Sequence, residues 1–82
     1  MKVIKLDRHS RYYDDRYLFS GNATLSSILP NGFERRISDY PVIKDLDNRW
    51  LECTPEGEPL FQLKPEISQQ LDNLLLKIEV IA

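Results

Sequence analysis

The feature that most constrains this chain is its last segment, PEISQQLDNLLLKIEVIA, residues 65–82. Ile67, Leu71, Leu74, Leu75 and Ile78 recur at intervals of three and four, the spacing that lines up apolar side chains along one stripe of an α-helix. Pro65 suits the first helical turn, where its missing amide has no partner to lose, and Glu66 meets the positive end of the helix dipole. In a chain of 82 residues such a stripe has to lie on the remainder of one small core. Leu76, Val80 and Ile81 fall outside the strict stripe. Those surplus apolar side chains call for a second surface, supplied by another protein or by a second copy of the chain.

What lies under the helix reads as strand. KVIKL at residues 2–6 is an apolar run with Lys2 and Lys5 outward, and FERRI at 33–37 alternates, with Phe33, Arg35 and Ile37 on one face. Asp39-Tyr40-Pro41 is expected to interrupt that strand. VIKDL (42–46) and RWLEC (49–53) form a hairpin around Asp47-Asn48, and TPEGEP turns the chain into LFQL at 60–63. Pro55 and Pro59 keep the flanks of that second turn out of central strand positions. Gly21-Asn22 and Pro30-Asn31-Gly32 bracket a segment with room for a short helix near Thr24–Leu29. RYY and RYLF, within residues 11–19, read as two aromatic strands turning through Asp14-Asp15. The expected fold is therefore α+β: a small antiparallel sheet of short strands with the C-terminal amphipathic helix packed on one face, as a single domain over residues 1–82.

Chemistry is sparse. His9 is the only histidine, and beside Ser10 on extended chain it points to the opposite face, so no hydrolytic triad assembles from neighbours. Cys53, the only cysteine, cannot form an intrachain disulfide and on its alternating strand is expected in the core. A small enzyme or enzyme subunit would have to use one of these two residues. The two fall short of the four ligands of a structural zinc site. Asp45 and Asp47 share the spacing that opens a calcium loop, without the glycine and glutamate that complete one. Gly21, Gly32 and Gly57 are isolated and spell no phosphate-binding loop. No metal, cofactor or small-molecule substrate is expected.

Binding is the better expectation. RYYDDRY at 11–17 carries Arg11, Tyr12, Tyr13, Arg16 and Tyr17, the residue types that dominate interface hot spots, with aspartates able to set specificity; the structural alternative is an ordinary strand pair with Tyr12 and Tyr17 packed inward and Tyr13 and both arginines solvated. With Leu76, Val80 and Ile81 these form the expected protein-binding surface of a non-catalytic module: an adaptor, assembly factor, inhibitor, antitoxin-like regulator or homodimer. Nucleic acid is the rival partner, through Arg8, Arg11, Arg16, Arg35 and Arg36 interleaved with tyrosines. Acidic residues woven among them weaken that case. Residues 1–36 hold seven basic and four acidic groups, net +3, and residues 37–82 hold four and nine, net −5. Basic and acidic ends follow if the halves stay apart in the fold. A start without the apolar run of a secretion signal, a lone cysteine and no membrane-length apolar window make the cytoplasm the expected compartment.

Overall fold

Period-two sequence becomes strand where a neighbour can pair with it, and among the described residues five segments do so. A computed structural model describes residues 1–10 and 16–81, the last three of these as backbone only. Strands β1 (Lys2–Arg8), β2 (Phe19–Ile28), β3 (Glu34–Lys44), β4 (Trp50–Cys53) and β5 (Pro59–Gln62) precede helix α1 (Pro65–Ile81). The strands form one antiparallel sheet in chain order, β1 to β5, and the helix packs across one face, as the apolar stripe predicts.

Three of the four strand connections share one solution. In Leu29–Phe33, Asp45–Arg49 and Thr54–Glu58 the first residue donates its N–H to the carbonyl of the fifth, and the fourth donates back to the carbonyl of the first. That fourth residue is Gly32, Asn48 or Gly57, and each has positive φ, 86°, 64° and 101°. Glycine and asparagine adopt this left-handed conformation at least cost, so each turn is written in its sequence.

Two sequence expectations give way to pairing. The segment 24–29 is strand rather than short helix: Phe19, Ala23 and Leu25 are buried on the helix side with Gly21 between them. Glycine and alanine are too small to give that alternation much hydrophobic contrast. Gly21 itself is required, since a Cβ there would lie 2.3 Å from the Asp7 carbonyl and 2.6 Å from the Phe19 ring. Asp39-Tyr40-Pro41 does not end β3 either. The strand continues through a bulge, in which Ala23 faces Tyr40 while Leu25 faces Ile37, and Asp39 takes a left-handed φ of 55°. A second irregularity sits opposite, on β1 between Val3 and Lys5, so both neighbours of β2 bend beside Thr24. RYLF is corrected too: Arg16 lies in a helical turn and strand begins only at Phe19.

The core lies between sheet and helix. Val3, Leu6, Phe19, Ala23, Leu25, Val42, Trp50 and Leu63 meet Ile67, Leu71 and Leu75, with Leu74 and Ile78 packed at its margin. The Phe19 and Trp50 rings meet edge to face, 5.7 Å between centroids. At β3 and β4 the helix is tied to the sheet by Asp72, whose Oδ1 accepts from Trp50 Nε1 at 2.8 Å and from Lys44 Nζ at 3.0 Å. At β1 it is tied by Gln70, whose Oε1 accepts from the Val3 amide at 2.7 Å while Nε2 donates to the Met1 carbonyl. This contact brings the helix, part of the acidic half of the sequence, against β1 of the basic half, so the halves do not separate into two charged ends. No helix among the described residues is long and apolar enough to cross a membrane.

Candidate functional site

The β2–β3 hairpin is longer than its neighbours, and that length makes the site. Pairing between β3 and β4 spans only Val42–Lys44, and β1 follows β2 only as far as Ser26. The remaining residues of the hairpin project as a two-stranded arm from a molecule whose extents are 43 × 28 × 20 Å. At its end Ile28 faces Glu34 on one side of the ribbon and Phe33 faces Leu29 on the other, with Ile28 and Phe33 each 70% exposed and Leu29 less so. Their burial is not limited by the turn, which is well formed: Asn31 Oδ1 accepts from the Phe33 amide at 3.1 Å. Behind the tip are Arg35, opposite Ser27, and Arg36, which pairs with Glu34. The arm thus ends with an exposed apolar side chain on each of its two faces, Ile28 beside the Glu34–Arg36 pair and Phe33 beside Arg35.

Other exposed large apolar side chains are Met1, Leu18, Leu46 in the β3–β4 turn, Leu60 and Phe61 on β5, and Leu76 on α1. Leu76 lines a shallow cleft of about 240 Å³ with Lys44, Asp72 and Leu75, and its exposure matches its place outside the helical stripe. The side chains of Val80 and Ile81 lie outside what the structure describes.

Of the tyrosine-rich segment, Arg11, Tyr12, Tyr13, Asp14 and Asp15 fall outside the described residues. Arg16 is exposed, whereas Tyr17 is half-buried and donates its hydroxyl to the Gly57 carbonyl at 2.9 Å, across 40 positions of sequence. The next residue, Leu18, gives its amide to the Lys44 carbonyl. Tyr17 is therefore a strut that ties the β1–β2 connection to the β4–β5 turn. Ile43 and Cys53 are fully buried outside the main core cluster, and Ile43 pairs with Leu51 on the sheet face turned from Val42 and Trp50.

The candidate catalytic residues are not brought together. His9 is exposed and lines a cleft of about 160 Å³ with Arg8, Ser10, Tyr17, Leu18, Phe19 and Ser20, a set without a described carboxylate. Cys53 is buried, as its strand position predicts. Asp45 is used up in its own turn: its carboxylate accepts from the Asp47 and Arg49 amides and from the Arg49 guanidinium. Burial pushes its pKa up, but these donors outweigh burial and hold the carboxyl below its usual 3.8. Among the described residues no three His, Cys, Asp or Glu side chains gather as a metal site. Tyr40, between burial and a hydrogen bond with the Glu52 carboxylate, has its phenol pKa pushed well up and stays protonated.

Of the arginines proposed for nucleic acid, Arg11 is outside the described residues, and Arg8 and Arg35 stand far apart. Arg8 lies over the Phe19 ring, 5.1 Å from its centroid, opposite Gly21 on β2, whereas Arg35 is opposite Ser27. Six strand residues separate those positions, about 20 Å along the sheet.

Sequence reasoning missed Ile28 and Leu29 because it placed 24–29 in a helix, and it put Phe33 on a strand face with Arg35 and Ile37 without placing it at a hairpin end. The signal was present in ILPNGF: Asn31-Gly32 flanked by apolar residues is a hairpin turn that leaves its flanking side chains at the tip. No family model, no curated protein and no solved structure matches this chain.

Proposed function

We propose that this chain is a non-catalytic protein-interaction module that engages its partner through the end of the β2–β3 arm. One observation carries the reading: Ile28 and Phe33, large and apolar, stand 70% exposed on a well-formed turn beyond the reach of the core. Holding such side chains in water forgoes the stabilisation that burial gives, and large exposed apolar side chains at the end of a projecting hairpin suit a partner that wraps both of its faces. Arg35 behind the tip, with Arg36 already paired to Glu34, favours a partner with an apolar socket that carries an acidic group beside it. Leu76 is a secondary contact on the helix. Among the described residues the wide separation of Arg8 and Arg35 favours a protein partner over nucleic acid, which binds best along a continuous cationic track.

The test is capture from the source cell after nuclease treatment, with wild type and Ile28→Ser/Phe33→Ser as parallel baits. A stoichiometric protein held by the wild type and lost by the variant is the expected result. Equal retention by both baits, or capture that vanishes with nuclease, contradicts the reading.

A further inference from the structure

The sheet has two outer strands, and they are finished differently. On β1 the Gln70 side chain stands in for a neighbouring strand, accepting from the Val3 amide and donating to the Met1 carbonyl. A primary amide offers both a donor and an acceptor, so this edge is blunted against further pairing. On β5 no described residue takes that place: β5 closes the sheet, and all four of its residues are exposed. Leu60 and Phe61, 56% and 57% exposed, add apolar surface to that edge. Leu63 gives its amide to the Trp50 carbonyl, so Gln62, one residue earlier, turns its N–H and C=O toward the open side.

From this we infer that the outer edge of β5 pairs with a second copy of the chain, antiparallel about a two-fold axis at Phe61. The choice of occupant comes from the charges that flank the strand, EPLFQLK, residues 58–64. Antiparallel pairing centred on Phe61 sets Phe61 beside the partner's Phe61, Leu60 beside the partner's Gln62, and Glu58 toward the partner's Lys64. By symmetry Lys64 meets the partner's Glu58, so both ends of the pairing are matched in charge. Shifting the register by two residues toward the helix would centre it on Gln62 or beyond and place Glu58 toward the acidic Glu66 region. Opposite charges across strands favour pairing and like charges oppose it.

The same residues limit the contact. Pro59 and the irregularity between Glu52 and Cys53 end the edge on one side, and α1 begins directly after it on the other. A contact of this length is smaller than the roughly 1,200–2,000 Å² of a standard interface, so the dimer is reversible and concentration-dependent. It is also closed, because the two-fold consumes the β5 edge of both copies while Gln70 caps β1. This inference does not rest on the hairpin tip, which lies on other strands.

Sedimentation equilibrium on the intact chain at low salt tests it, with wild type, Glu58→Lys, Lys64→Glu and the double exchange Glu58→Lys/Lys64→Glu. Both side chains are exposed and enter no hydrogen bond or ion pair described above, so the fold tolerates each exchange. Wild type is expected to be a reversible dimer. Each single exchange turns two attractive pairs into repulsive ones and should weaken the dimer about tenfold, from two pairs of modest energy each. The double exchange restores complementarity and should recover the wild-type dissociation constant. A wild-type chain that stays monomeric at high concentration, single exchanges without effect, or a double exchange that fails to recover would each overturn the inference.

Discussion

Strands β2 and β3 run through both the helix-covered body and the hairpin arm, and the two regions differ in what lies over and beside them. Near one end Phe19 and Val42 are sealed beneath α1 beside Trp50; at the other Ile28 and Phe33 are the most exposed large apolar side chains in the described chain. Local sequence does not separate these ends. What separates them is reach, since the core of so small a protein extends only as far as one helix can cover. The lesson is that apolar residues in this chain divide into a set that folds it and a set left for contact, and the bulges beside Thr24 mark where one gives way to the other.

That division can be broken most forcefully from the body. Leu71 is fully buried, and Leu71→Ala should lower unfolding free energy by about 2–5 kcal/mol, a large share of the stability of a small domain. Urea denaturation followed by far-ultraviolet circular dichroism measures it, and a near-wild-type midpoint would show the helix register to be wrong.

The tie between helix and sheet comes next. Asp72→Ala removes the acceptor of both Trp50 Nε1 and Lys44 Nζ, which lies 5.8 Å from the Trp50 ring centroid. The expected loss is about 1–3 kcal/mol, with a change in Trp50 fluorescence in the folded state. Asp72→Asn keeps a neutral acceptor and should lose less.

The bulge allows a change in the opposite direction. Asp39 holds a left-handed φ that glycine adopts without a Cβ penalty. Asp39→Gly should therefore raise the denaturation midpoint slightly or leave it unchanged, within about 1 kcal/mol, the gain being offset by the flexibility glycine adds to the unfolded chain. A large loss would mean that the Asp39 side chain, rather than its backbone, supports the arm.

How much of this was legible in the sequence follows from the same contrast. The α1 stripe was, because five large apolar residues at helical spacing admit one face. So were the Asp45–Arg49 and Thr54–Glu58 turns, where Asn48 and Gly57 announce left-handed positions. β2 was not, because Gly21 and Ala23 carry its alternation with too little side chain to register. Nor was the continuity of β3 through Asp39-Tyr40-Pro41, since a bulge and a break look alike until the partner strand is known. Concealing β2 concealed the arm and its tip with it. The bare β5 edge was hidden for another reason: that Gln70 caps one edge of the sheet and nothing described caps the other depends on contacts across most of the chain.

The most direct test of the division is the urea midpoint of Ile28→Ser/Phe33→Ser beside that of the wild type. If these side chains are held for contact rather than for folding, the unfolding free energy stays within about 0.5 kcal/mol of wild type and the midpoint hardly moves, as for substitutions on open surface. A loss approaching that of Leu71→Ala would contradict the account, because it would mean that the tip is packed and belongs to the core.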